Sequence, residues 1–178
     1  TEPAINGSIP QANTRNASVT HNALDRGDRR ILAILQRDCL TPADQIADET
    51  GMSASSVLRR IRKMRDDGVI LGQVTIVDAK KVGMPLTFVT ALEIERERKD
   101  LLAQLKRWLD KEDSVQQAIY TTGSADVYLI VVAKNVEAYD AITQRLVEEN
   151  PNIRRVTTSV SLQTYKRGLY IPTEDDSI

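Results

Sequence analysis

The chain is poor in the residues from which most reactive centres are built. It has one cysteine, Cys39, and one histidine, His21, among 178 residues. A single thiol excludes an intrachain disulfide framework and fits a reducing compartment. One histidine in a polar stretch leaves too little material for a zinc site or a histidine-based triad. No apolar run approaches the ~18 residues of a membrane-spanning helix, and no signal peptide is evident, so the expected location is the cytoplasm, at the nucleoid. Strong charge of one sign is also missing. The net charge is −1 and the pI about 5.9, so the chain is no basic nucleic-acid coat, and any contact with DNA must come from local clustering. With 41% hydrophobic and 28% charged residues, it has room for one domain or two small ones, each with a modest core.

Such a cluster exists. Thr41 to Asp67, TPADQIADETGMSASSVLRRIRKMRDD, reads as two short helices joined by a tight turn. Thr41 is expected to cap the first, with Pro42 at its first position and Asp44 three residues after the cap. Ala47 is small enough for two helix backbones to approach, Gly51 can turn the chain at positive φ, and Val57 can fill the crotch. Ser53 is expected to cap the second helix.

At about 100° per residue, Val57, Leu58, Ile61 and Met64 share one side of that second helix. Ser55, Ser56, Arg59, Arg62 and Lys63 share the other, with Arg60 on the flank. No acid interrupts residues 53–65. Small hydroxyls near the N-terminus followed by arginines suit a helix that enters a DNA major groove. Arg59 is placed to read guanine edges, and Arg62, Lys63 and Arg65 to meet phosphates. Ser53, Ser55, Ser56 and Arg60 complete the candidate DNA-binding set.

Residues 1–22 are rich in Asn, Ser, Thr, Ala and Pro, show no apolar period, and are expected to be a disordered extension. Asp25 opens a helix whose stripe is Leu24, Ile31, Leu32 and Leu35, with Gly27 weakening its first turn. This helix completes a helix-turn-helix domain over residues 23–68. Residues 69–84 read as a wing and hinge, with a short strand near Val74 to Val77. A second domain is expected over residues 85–171, followed by a tail at 172–178.

That second domain alternates in the order β-α-β-β-α-β. Strands are expected at Leu86 to Glu95, Val115 to Thr122, Val127 to Ala133 and Val156 to Leu162. Helices are expected from Lys99 to Glu112 and after a cap at Asn135. With right-handed crossovers this gives a ferredoxin-like α+β fold, a four-stranded antiparallel sheet with both helices on one face and its first and third strands central. Those two strands are apolar on both faces, so one apolar face has no helix to cover it. A second copy of the chain is the simplest cover, which makes a homodimer the expectation.

With these elements in place, the chain resembles the Lrp/AsnC family of bacterial and archaeal transcription regulators. The likeness rests on LDRGDRRIL at Leu24 to Leu32, GMSASSVLRRIRKMRDDGVILG at Gly51 to Gly72, TGSADVYLIV at Thr122 to Val131, and VTTSVSLQTYK at Val156 to Lys166. The resemblance implies an N-terminal winged helix-turn-helix, a C-terminal regulatory domain, dimers that assemble further, often to octamers, and control by an amino acid bound near a Gly-x-x-Asp turn. Here that turn is Gly123, Ser124, Ala125 and Asp126, with Tyr120, Thr122 and Thr158 as further candidates for the pocket wall. Asp126 would accept from an ammonium or cap its own turn. Ser124 stands where the family often carries an acid, and Leu40 where an arginine is common.

The reading is therefore a sequence-specific, double-stranded-DNA-binding regulator, with no resident cofactor and a small effector. The alternative is an architectural protein that wraps DNA without an effector, which would show steep salt dependence and little sequence preference. An enzyme is not expected, because the second domain has no His, no Cys and no Gly-rich phosphate loop.

Overall fold

The computed structural model describes residues 24–95 and 99–173. The extension expected over residues 1–22 lies outside these, as do residues 174–178 of the expected tail. The described residues form two compact units, 24–74 with 166–173, and 75–165.

The first unit is helical. Helix α1 (Arg26–Arg37) starts with a full capping box: the Asp28 N–H donates to Asp25 Oδ1 at 2.8 Å, and the Asp25 N–H donates to Asp28 Oδ2 at 3.2 Å. Two of the orphan amides of the first turn are thereby satisfied. Helix α2 (Ala43–Thr50) ends at Gly51, whose φ of 71° is left-handed and suits glycine. Helix α3 (Ala54–Asp66) begins on Ser53, whose Oγ accepts from the Ser56 N–H at 3.3 Å. Ile31, Ile46, Ala47, Val57, Ile61 and Met64 are buried together where the three helices meet. Arg30 adds a polar tie by donating to the Glu49 carbonyl.

The second unit is a four-stranded antiparallel sheet in the order β2-β3-β1-β4. Its strands are β1 (Leu86–Ile94), β2 (Val115–Tyr120), β3 (Val127–Ala133) and β4 (Ile153–Val160). Helices α4 (Lys99–Leu109) and α5 (Val136–Glu149) supply the crossovers. Phe88, Leu92, Ile94, Val127, Leu129, Val131 and Ala133 point to the covered face and are buried with Leu105, Tyr139, Ile142 and Leu146. The Tyr139 ring stacks on Phe88 with centroids 3.8 Å apart. Its hydroxyl lies 2.8 Å from Thr90 Oγ1 and 2.5 Å from Thr158 Oγ1, so a phenol buried in an apolar core keeps its partners. On the other face, Val89 stands opposite Ile130 and Ala91 opposite Tyr128. These residues are half-buried or exposed, and the buried side chains of α4 and α5 pack on the opposite face of the sheet.

The βαββαβ order and central β1 and β3 agree with the sequence reading. Five local expectations do not. Helix α4 stops at Leu109 and not at Glu112, where the chain turns and the Lys111 N–H donates to the Trp108 carbonyl at 3.1 Å. Thr41 is not a cap. Its hydroxyl donates to the Asp38 carbonyl at 2.8 Å, and Pro42 takes the N-cap position with no side-chain bond. No strand forms at Val74 to Val77. β-Branched residues favour a strand only where a partner strand supplies the ladder, and no described strand pairs with residues 71–78. Strand β4 begins three residues before Val156, because a bulge between Glu93 and Ile94 lets Ile153 pair with Ile94. Cross-strand ion pairs hold that early segment: Arg154 with Glu95 at 3.1 Å and Arg155 with Glu93 at 3.7 Å. Strand β2 stops at Tyr120, since the Thr121 N–H turns to the Asp126 carbonyl at 2.8 Å.

Candidate nucleic-acid interface and effector turn

Helix α3 buries Val57, Ile61 and Met64 and turns its other side to solvent. Ser55, Arg59, Arg62 and Lys63 are exposed there, and Ser56 is half-buried. Arg59 and Arg62 make no hydrogen bond or ion pair with any described residue. Lys63 pairs with Asp67 one turn on, a surface contact of a few tenths of a kcal/mol that a phosphate can replace. The Arg65 guanidinium donates to Gln73 Oε1 at 3.3 Å. Ser53 Oγ is engaged in its cap and lies 3.2 Å from Ser55 Oγ.

Two residues of α3 depart from the wheel. Arg60 stands in the candidate DNA-binding set, yet it turns inward to α1. Its Nη1 lies 2.7 Å from Asp25 Oδ2 and 2.8 Å from Asp28 Oδ1, and its side chain is only 26% exposed. The acids that cap α1 thus also anchor α3. The Asp25 carboxyl is held below the ordinary carboxylate value, first by the Asp28 N–H and then by Arg60. The guanidinium is raised in turn by its bonds to Asp28 and Asp25. Leu58, expected on the core side, is 44% exposed and lies outside the buried cluster.

Gly27, read from the sequence as a weak point, is a close-approach position. A Cβ there would sit 2.5 Å from Met52 Cε. Only a spacing across the fold reveals this.

The candidate effector turn joins β2 to β3. Gly123 has φ of 134°, a conformation that L side chains rarely adopt. Thr121 Oγ1 donates to the Ala125 carbonyl at 2.9 Å. Ser124 is exposed, and its Oγ lies 3.3 Å from the hydroxyl of Tyr128. Tyr120, at the end of β2, and Thr122, before the turn, are exposed. Tyr128 was missed as a member; its place three residues after the turn's Ala125, on the uncovered face, was the available signal.

Ala125 and Asp126 are buried. Asp126 Oδ2 accepts from the Ile94 N–H at 2.7 Å, so the carboxylate reaches across to β1. Thr158 is not brought to the turn. It lies on β4, two strand spacings or about 10 Å from β3, with its hydroxyl on Tyr139. Among the described residues no cluster of His, Cys, Asp and Glu is arranged to hold a metal ion, and no helix is long and apolar enough to cross a membrane.

Comparison with known proteins identifies the two domains that carry these residues. A family model for the Lrp/AsnC ligand binding domain matches residues 87–171, and one for a winged helix-turn-helix DNA-binding domain matches residues 24–70. An HTH-type transcriptional regulator of Sinorhizobium fredii is 35% identical over 151 residues, which cover 85% of this chain and 89% of that protein. The crystal structure of an AsnC family transcriptional regulator from Agrobacterium tumefaciens has a TM-score of 0.78 at 29% identity, covering 86% of this chain and 99% of that one. A transcriptional regulator from Neisseria meningitidis, solved as a complex with L-Met, has a TM-score of 0.78 at 20% identity over 86% and 99% of the two chains. That last likeness is one of fold.

Proposed function

The chain belongs to the Lrp/AsnC family of DNA-binding transcription regulators, and from that premise we propose that it recognises defined DNA sites as a dimer whose affinity or assembly is set by a small amino acid. The observation that carries this reading is the outer face of α3, where Arg59 and Arg62 are exposed and have no partner among the described residues. In a dimer, two such helices would meet successive major grooves roughly 34–36 Å apart, on a loosely palindromic site. Arg59 would read a base edge and Arg62 a phosphate, with Ser55, Ser56, Lys63 and Arg65 as supporting contacts. Arg60 would act indirectly, by fixing α3 against α1.

The uncovered sheet face supports the dimer. It exposes Val89 and leaves Ile130 and Val132 half-buried at the sheet centre, an apolar surface that a second copy would cover. Further assembly, to an octamer or similar, would follow the pattern of the family. The effector would sit at the Tyr120, Thr122, Gly123, Ser124 corner, with Asp126 holding the turn in shape. The neighbour solved with L-Met supports an amino acid as the ligand class. Such a ligand would act by binding one assembly better than another.

The test is a gel shift with full-length protein on the DNA flanking its own gene, with and without each of the common amino acids. Retardation well above that of a random fragment, altered by at least one amino acid, is expected. Equal affinity for unrelated fragments under every condition would remove the reading. Thermal melting against the same panel identifies the effector independently, because a ligand of the folded state raises the melting temperature.

A further inference from the structure

Helix α3 carries one apolar side chain that the core does not use. Val57, Ile61 and Met64 mark the inward side of the helix. Leu58 lies about 100° further round than Val57, is 44% exposed, and is absent from the hydrophobic cluster. An isolated exposed leucine is ordinary and by itself signifies nothing. Its address on the helix is what matters. Leu58 lies three residues after Ser55 and four before Arg62, so all three share one strip of the outer face, and Arg59 is its neighbour. Arg59 and Arg62 have no partner among the described residues. A polyanion seated against those guanidinium groups brings its own surface onto Leu58.

Within a major groove only one base offers an apolar group. Guanine, cytosine and adenine present hydrogen-bond donors and acceptors, whereas thymine adds its C5-methyl. Serine or arginine at position 58 would gain nothing from that methyl, but a leucine buries it. We propose that Leu58 reads a thymine in each half-site by covering its C5-methyl group, beside the base pair read by Arg59. This rests on α3 being the groove-entering helix. The protein would then prefer a thymine at a fixed offset from a guanine, a preference that hydrogen bonding alone would not produce.

The experiment begins with sites recovered by the full-length protein from a random duplex pool. Each thymine in a recovered site is then replaced singly by deoxyuridine, which removes the methyl and leaves the base pair intact. One thymine per half-site is expected to lose about fourfold in affinity on replacement, the worth of one buried methyl-sized group, and roughly fifteenfold when both half-sites are changed. Leu58→Ala should bind the thymine site about as weakly as the wild type binds the deoxyuridine site, and should not distinguish the two duplexes. Leu58→Gln, which keeps the bulk and adds polarity, should lose the same discrimination. The proposal is overturned if every replacement is neutral for the wild type, or if Leu58→Ala keeps the full sensitivity. Arg59→Ala on the same sites separates this from the parent reading. A tenfold or greater loss with that variant keeps α3 in the groove even when Leu58 fails, and no loss removes both.

Discussion

Asp126 Oδ2 accepts the backbone N–H of Ile94 at 2.7 Å, while the Asp126 N–H donates to the Leu92 carbonyl at 2.8 Å. The carboxylate of the candidate effector turn therefore stitches the end of β1 to the start of β3. Truncation in Asp126→Ala leaves a buried amide without that acceptor, and stability should fall by about 1–3 kcal/mol in urea denaturation. Asp126→Asn still offers an amide oxygen and should keep most of that stability. An Asp126→Ala protein as stable as the wild type would contradict the structural role.

The arginines of α3 should separate by function. Arg62→Ala should weaken binding to all DNA sequences alike and reduce the slope of log affinity against log salt by about 1. Arg59→Ala should cost about 1–3 kcal/mol on the preferred site and flatten the preference at one base pair. Arg60→Met should lower the melting temperature and leave the salt slope in place, since this guanidinium is held by Asp25 and Asp28. A slope change in Arg60→Met equal to that of Arg62→Ala would place Arg60 on the phosphates after all.

Acid should loosen the helical unit through Asp25. Its carboxyl titrates lower in the folded chain than in the unfolded one, because the Asp28 N–H and Arg60 favour its charged form. A depressed carboxylate stabilises the fold fully above its unfolded value, near 3.9. That contribution is lost as the pH falls through the lower folded value. Between pH 7 and pH 3 the wild type should therefore lose more stability than Asp25→Asn, which caps the helix without titrating. Parallel urea midpoints for the two proteins across that range would refute the coupling.

The end of the described chain is tied to α1. Gln36 Nε2 donates to the Ile171 carbonyl at 3.0 Å, and the Ile171 N–H donates to Gln36 Oε1 at 2.8 Å. The Arg37 guanidinium lies 5.4 Å from the centroid of the Tyr170 ring, and Thr173 Oγ1 donates to the Arg29 carbonyl at 3.4 Å. Gln36→Leu breaks the reciprocal pair and should cost about 1 kcal/mol. Truncation before Leu169 should destabilise the helical unit by at least as much, seen as a lower melting temperature. Unchanged melting in both variants would show that the clamp contributes nothing.

The elements legible in the sequence are those fixed by local pattern. Val57, Ile61 and Met64 of the α3 stripe, the caps at Asp25, Ser53 and Asn135, and the doubly apolar β1 and β3 all announce themselves within a dozen residues, whereas Leu58, expected in that stripe, lies outside it. What escaped depends on partners distant in the chain. Arg59 and Arg60 are adjacent and chemically identical, and only the acids 35 and 32 residues upstream of Arg60 tell them apart. Val74 to Val77 has the composition of a strand, but composition says nothing of whether a ladder partner exists. The early start of β4 hides behind Arg154 and Arg155, whose acidic partners appear only once the register with β1 is known. Asp126 shows the same limit at the β2–β3 turn. Its type suggested a ligand contact or a turn cap, and its partner lies across the sheet.

The return of residues 166–173 to the helical unit changes what a reporter placed at Thr173 would measure. On a linear map such a fluorophore or affinity tag would be assigned to the regulatory domain. Physically it would hang beside Arg29 and Gln36 of α1, so its spectral response or steric load would fall on the part of the protein that carries the recognition helix.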